Sequence, residues 1–377
     1  MSRHFDLAVV GAGIVGLAHA LAAVRRGLRV VVIDREREVI GASVRNFGFV
    51  TVTGQQQGEC WRRALRSRDV WLEVAPQAGI AIEQEGLLVV AQRPEALAVL
   101  EAFAATEMGA ACRLVDGREA RSRYPVLGET AIAGVLWSPH ERRIESRDAI
   151  PKLADWLERA LGVTFVRDTL VKDVAPPYLA TTAGTFGAER VVVCPGDDLL
   201  TLYADRIRAL GIGRCRLHML KVRPGDPGFC LPAAAMSDLS LIRYLGYAEL
   251  PETAALKARL EAEQPRMLAH GIHLIAVQGR DRDLIVGDSH HYEWSPSPFA
   301  EAGVDELILA ELTTVLRLPE AYVTERWTGI YASLPDRLVV IDAPEPAVRL
   351  VMVTSGTGAS TAFAIGEEVI ADLFGGI

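Results

Sequence analysis

Residues 5–34 read FDLAVVGAGIVGLAHALAAVRRGLRVVVID, and the order of residue types along this stretch decides the fold class. Phe5 to Val10 is an apolar run of strand length, and Arg29 to Ile33 is a second one rich in valine. Between them, Ile14 to Arg26 has the length and composition of a helix closed by Gly27. The link from strand to helix is Gly11-Ala12-Gly13-Ile14-Val15-Gly16, a GxGxxG pattern inside a complete βαβ unit. Each glycine has a task there: Gly11 makes the tight turn, Gly13 lets a pyrophosphate approach the backbone, and Gly16 lets the helix pack closely. Ile14 and Val15 open the helix whose positive end faces the phosphates. Asp34 ends the next strand, 18 residues past Gly16, where a carboxylate meets the ribose hydroxyls. The stretch predicts a dinucleotide site. Alone, it does not separate FAD from NAD.

The rest of the composition narrows the function classes. A chain of 377 residues with 50% hydrophobic content is large enough for two hydrophobic units. With 23% charged residues and a net charge of -8, it shows no basic field for nucleic acid, so a small-molecule partner is expected. Cys60, Cys112, Cys194, Cys215 and Cys230 are odd in number, widely spaced and without a CxxC pair. That pattern predicts reduced, mostly buried thiols rather than a disulfide framework or a zinc site. Leu7 to Val24 is apolar enough to resemble a membrane span, but its three glycines and His19 speak for strand, turn and helix. The chain enters its first strand with no charged leader and apolar signal stretch, and the expected location is the cytoplasm.

Along the chain, Gln57 to Val74, Pro94 to Met108 and Asp148 to Leu161 carry helical apolar spacing, with Asp148 as a possible N-cap. Val163 to Val166, Leu170 to Val174 and Arg190 to Cys194 read as short strands. From Arg216 to Asp288 strands dominate, including Leu239 to Tyr247, interrupted by a helix from Glu252 to Met267. Ile272 to Gln278 and Leu284 to Ser289 flank a turn at Gly279 to Asp283 and predict a hairpin. Val304 to Leu316 reads as a helix; Arg337 to Ile341 and Leu350 to Val353 read as strands before the Ser355-Gly356-Thr357-Gly358 loop and a final helix. The expected architecture is α/β: a Rossmann-like dinucleotide-binding domain from 1–75, 145–215 and 330–377. A largely antiparallel substrate domain, 76–144 and 216–329, is inserted into it.

Gly41-Ala42-Ser43-Val44-Arg45-Asn46-Phe47-Gly48, soon after Asp34, resembles the second FAD motif of the D-amino-acid oxidase, glycine oxidase and sarcosine oxidase family. Ala188 to Gly196 and Ser355 to Ala359 agree with the same resemblance, which spans the chain. It implies non-covalent FAD held by Gly11, Gly13, Ile14, Val15, Gly16, Asp34, Arg35, Ser43, Arg45, Asn46, Phe47, Gly48, Val171, Gly196, Gly356, Gly358, Ala359 and Ser360. A helix starting near Gly358 would point its positive end at the N1 and C2 carbonyl region, where reduced flavin carries negative charge.

Two departures refine the branch. The family places a carboxylate-binding arginine before the last glycine loop, where this chain has Tyr331 in Gly329-Ile330-Tyr331-Ala332. The sarcosine oxidases attach flavin through a cysteine near this point, matched here by Gly329, so that route to covalent flavin is not expected. Gly271-Ile272-His273, Gly287-Asp288-Ser289-His290, Pro298-Phe299 and Arg326 to Tyr331 resemble a flavin oxidoreductase group associated with bacterial phosphonate breakdown. That resemblance implies oxidation of 2-aminoethylphosphonate or its N-methyl derivative. Arg243, His273 and Tyr331 are then the candidate catalytic residues, with Arg243 the first choice for the phosphonate. An ion-pairing Arg243 and a hydrogen-bonded core His273 are the structural alternatives. His290 and His291 lack metal-spaced partners and read as surface or supporting residues, and no metal is expected.

The reaction implied is hydride transfer from the carbon beside nitrogen to flavin, followed by imine hydrolysis, with O2 going to H2O2. Ile285 stands where sarcosine oxidases place an oxygen-activating lysine, so a dehydrogenase with another acceptor stays open. A glycine- or sarcosine-type oxidase, an NAD-dependent dehydrogenase and a non-catalytic flavoprotein are the other readings.

Overall fold

Val30–Ile33, four β-branched residues, form a strand buried along its whole length in the computed structural model, which describes residues 4–375. Continuous apolar strands of this kind belong to parallel sheets covered on both faces. His4–Val10 pairs in parallel with Val30–Ile33 on one side and with Gly184–Val193 on the other. Thr164–Val166 and Val348–Val353 extend the parallel set outward, and Val339–Glu345 closes one edge antiparallel. Val171–Ala175 and Tyr178–Thr181 complete this eight-stranded sheet as an antiparallel ribbon. The helix Ile14–Val24 is apolar nearly all round because it packs on the sheet and on the last helix, Gly358–Phe374. The two helices approach so closely that a Cβ on Gly366 would stand 2.8 Å from the Ala18 carbonyl.

The second sheet has ten strands and is antiparallel in every pairing among the described residues except Ala234–Met236 with Gln84–Ala91. Its longest pair joins Gly213–Arg223 to Tyr322–Ser333. The expected hairpin is present, with Ile275–Gln278 set against Leu284–Gly287. The chain is thus a mixed α/β fold with one mainly parallel and one mainly antiparallel sheet. Cys60, Cys194 and Cys215 are buried, Cys112 is partly buried and Cys230 exposed, all as free thiols. Among the described residues no helix is long and apolar enough to cross a membrane.

Three local expectations are corrected. Leu239 to Tyr247 is not a strand: Asp238–Ile242 is a 3-10 turn and Leu245–Ala248 a short helix, so Arg243 lies between two helical turns. The Ser240 carbonyl accepts the N–H groups of both Arg243 and Tyr244; it was the alternation of apolar Leu239 and Leu241 with polar Asp238 and Ser240 in the sequence that imitated a strand. The N-cap of Ser146–Leu161 is Glu145, whose side chain accepts the Arg147 N–H; Asp148 sits inside the first turn and pairs with Lys152. The helix expected over Glu252 to Met267 breaks at Gln264 into Thr253–Glu263 and Pro265–Ala269, because Pro265 has no N–H to continue the ladder.

Candidate active site

The first glycine loop has no room for a side chain at Gly11 or Gly16. Gly11 has a φ of +105°, and a Cβ there would stand 2.4 Å from the Cys194 carbonyl oxygen. A Cβ on Gly16 would fall 1.9 Å from the Gly11 oxygen, and one on Gly13 would lie 3.0 Å from Ser43 Oγ. Asp34 braces this loop, accepting the N–H of Ala12 at 2.5 Å and of Glu36 at 2.8 Å. Ser43 Oγ accepts the Ile14 N–H at 2.9 Å and so satisfies a free donor of the helix start. Gly11, Gly13, Asp34, Arg35, Ser43, Val171 and Gly196 line one cleft. Ile14, Val15 and Gly16 stand behind it and form the helix start. The Arg35 guanidinium turns to Asp198, at 2.7 Å.

The second glycine segment carries this cleft onward. Gly48 has a φ of +66°, and a Cβ there would stand 1.8 Å from the Ile144 oxygen. Asn46 clamps the segment: its side-chain oxygen accepts from the Gly48 N–H at 2.7 Å and the Ser146 hydroxyl at 2.9 Å, and its amide donates to the Ala42 oxygen at 2.7 Å. Arg45, Asn46 and Phe47 line a second cavity of about 520 Å³, together with Gly356, Ala359 and Ser360. Ala42 borders both cavities, which adjoin at that residue. Gly48 and Gly358 shape the backbone without lining the wall. The helix Gly358–Phe374 starts here, and Ser360 Oγ accepts the Thr51 N–H at 2.8 Å. Adjoining cavities walled by a glycine loop and two helix N-termini fit an extended dinucleotide with a large ring at one end. Gly329 lies on the wall beside the ring end; a Cβ there would stand 2.9 Å from the Arg45 oxygen, so the present backbone leaves no room for a cysteine.

Arg243, His273 and Tyr331 line this same second cavity. Arg243 donates to the Tyr292 hydroxyl at 2.8 Å. Burial works against its charge, but Tyr331, Tyr292 and Asp288 outweigh that effect and hold its pKa above the usual value. Tyr331 lies against Gly356, where a Cβ would come 3.2 Å from the ring. Burial pushes the Tyr331 phenol well above its usual pKa, so it stays protonated and able to donate.

His273 is buried and exchanges both backbone hydrogen bonds with Asp288, at 3.3 and 3.0 Å. Its Nε2 lies 2.9 Å from Asp288 Oδ1, but off the line of a hydrogen bond, so that oxygen is left without a donor. Burial works to raise the Asp288 pKa; His290 and His273, when protonated, and Arg243 outweigh it and hold the carboxylate below its usual range. Of the two places expected for His290, surface or supporting, the surface is excluded. His290 is 8% exposed, stacks on His273 with ring centres 5.2 Å apart, and also lines the cavity. Burial drives its pKa well below the usual imidazole value. His291 points elsewhere, toward His218 and His270. Although the sequence carries no metal-ligand spacing, one donor atom from each of His273, Asp288 and His290 falls within 4.8 Å of the others.

Asp288 and Tyr292 carried no assigned role in the sequence reading. A signal was present: Asp288, His290 and Tyr292 are spaced by two, the period that turns extended residues to one side, and all three line the cavity. Ile285 is paired with Val277 and Lys221 inside the sheet and lies off the cavity wall; the Lys221 ammonium is held by Asp281 at 2.7 Å.

Known proteins place this geometry. The chain is 26% identical over 204 residues to monomeric sarcosine oxidase from Bacillus sp. (strain B-0618), covering 52% of each chain. It is 25% identical over 210 residues to glycine oxidase from Geobacillus kaustophilus (strain HTA426), covering 52% of this chain and 55% of that one. These matches thus span about half the length of the curated relatives. Over the whole fold it resembles the crystal structure of glycine oxidase from Bacillus cereus ATCC 14579, with a TM-score of 0.79 at 16% identity, covering 98% of this chain and 95% of that one. The family model described as "FAD dependent oxidoreductase", DAO, matches residues 6–373. With that match over nearly its full length and adjoining cavities shaped for a dinucleotide, the chain belongs to the DAO family of FAD-dependent oxidoreductases.

Proposed function

We propose that this chain oxidises a small amine carrying an anionic group, an aminophosphonate of the 2-aminoethylphosphonate type or its N-methyl derivative. The observation that carries this reading is Arg243, partly buried on the wall of the ring-end cavity with the hydroxyl of Tyr292 at 2.8 Å. Position 331 supplies a protonated phenol instead of a guanidinium, so Arg243 takes the charge of the anion and Tyr331 adds a neutral donor. Phe47, Leu217 and Ile275 give the cavity an apolar side that excludes water from the reacting carbon. FAD, held along the Gly11–Gly16 loop and the Arg45–Phe47 wall, would supply the hydride acceptor for the carbon beside nitrogen and the electron donor to O2. The resulting imine hydrolyses to an aldehyde and an amine. The likeness to sarcosine and glycine oxidases favours a second reading, a small amino acid whose carboxylate meets the same Arg243.

Anaerobic bleaching of the flavin separates the two. The expected result is bleaching by 2-aminoethylphosphonate or its N-methyl derivative at concentrations where glycine and sarcosine leave the flavin oxidised. Bleaching by glycine or sarcosine alone overturns the phosphonate assignment. The acceptor is tested by mixing reduced enzyme with O2; reoxidation no faster than free flavin assigns a dehydrogenase instead.

A further inference from the structure

We propose that Asp288, His273 and His290 form the subsite for the substrate's ammonium group, with Asp288 and His290 receiving its N–H bonds and His273 taking its proton. This rests on the amine-substrate reading above, and its argument comes from the hydrogen bonds behind the three residues. His290 Nδ1 lies 3.0 Å from the Gly271 carbonyl oxygen, which only an N–H can satisfy. In the neutral ring, Nε2 is therefore bare, and it faces Asp288 Oδ2 at 3.8 Å. His273 is fixed in the same sense. The Ser240 hydroxyl reaches the Leu274 oxygen at 3.1 Å and His273 Nδ1 at 3.3 Å; we assign its proton to the carbonyl, which can only accept, and this makes Nδ1 the donor to Ser240 Oγ. Its Nε2 is then also bare, 2.9 Å from an Asp288 oxygen that has no hydrogen-bond donor.

Two imidazole lone pairs thus converge on one carboxylate, and all three side chains are about 95% buried. Acceptors facing acceptors in a buried wall are unfavourable until a cation with N–H groups enters between them. The cavity is open to all three. A substrate ammonium supplies the missing donors and one positive charge, while Arg243 on the same wall takes the anionic end. The proton balance is simple: the ammonium N–H bond breaks, its proton bonds to His273 Nε2, and the nitrogen keeps the electron pair. The neutral amine stays in place and the new imidazolium pairs with Asp288. Arg243, Tyr244, Tyr292 and Tyr331 are the other charged or titratable groups on this wall near the cluster.

The test uses the FAD-loaded enzyme and follows the flavin spectrum during titration with 2-aminoethylphosphonate, ethylphosphonate and ethylammonium. Asp288→Asn is expected to weaken both amines by roughly 10- to 100-fold and to leave ethylphosphonate within about two-fold. Arg243→Ala is expected to do the reverse, weakening ethylphosphonate and sparing ethylammonium. His290→Gln, expected to weaken both amines by roughly 10-fold, keeps the test open should Asp288→Asn lose its flavin. Equal amine binding by these variants and wild type, or no amine binding by wild type, overturns the proposal. Stoichiometric Zn²⁺ binding that is lost in Asp288→Asn, with amines unaffected, overturns it in favour of a metal centre. Amine binding sensitive to Asp288 without any binding of ethylphosphonate removes the phosphonate reading and sustains the ammonium subsite.

Discussion

The two ends of the site are built in different ways. At the glycine-loop end the wall is backbone: Gly11 and Gly16 leave no room for a Cβ against backbone oxygens, and Asp34 and Ser43 spend hydrogen bonds on the loop itself. At the ring end the wall is side chain: Arg243, Tyr292, Tyr331 and the Asp288 cluster come from segments far apart in sequence. Buried histidines show the same contrast. His19, behind the first glycine loop, bonds to the Val15 oxygen at 2.7 Å and leaves Nε2 unpartnered in an apolar core, whereas His273 and His290 line the cavity and turn theirs to Asp288 on the same wall. A backbone-built site tolerates no change of shape; a side-chain-built site tolerates shape changes and is sensitive to charge.

Four measurements sharpen or break that contrast. Gly16→Ala places a Cβ 1.9 Å from the Gly11 oxygen, so the helix must move. The expected loss is roughly 3 kcal/mol or more, with protein that no longer retains flavin on purification; a yellow, fully stable variant would contradict the backbone account. Next comes acid. Unfolded His19 takes a proton near pH 6.5, but burial lowers its folded pKa to about 4. The stabilisation is whole above pH 6.5 and is lost as pH falls toward 4, by about 3 kcal/mol in all. Urea unfolding at pH 7 and pH 5 should show this slope, and His19→Leu should flatten it. At the ring end, Arg243→Ala should raise KM for 2-aminoethylphosphonate by about 100-fold and that for an amine without the anion by less than about three-fold; equal losses would remove Arg243 from the anion site. The smallest effect is expected at Gly196, which has a φ of +63° with nothing within 4 Å of its Cβ position. Gly196→Ala should cost about 1–2 kcal/mol in unfolding measurements and keep its flavin, separating backbone conformation from space.

The same division explains what could be read before the fold was known. The GxGxxG loop and Asp34 were legible because a local βαβ unit forces glycine at fixed spacings, and the pattern needs no distant partner. Arg243 was legible as a charged residue among apolar ones, but its strand was not real: the Ser240 carbonyl turns that segment into helical turns. His290 was left between a surface and a supporting place because sequence shows a histidine pair after a strand, not the His273 ring stacked on it. Asn46 lines the cavity, but its amide is committed to holding the loop, a task visible only once Gly48 and Ser146 lie beside it.

By itself, the sequence determined the α/β class, the dinucleotide loop and the family, since each depends on residue types at short, fixed spacings. Only the tertiary structure decided how the ring-end cavity is furnished, because Gly271, His273, Asp288 and Ser240 meet through the hairpin and the turn packed on it. A hydrogen-bond direction such as that from His273 Nδ1 to Ser240 depends on where the Leu274 oxygen lies, and no spacing in the chain encodes that position.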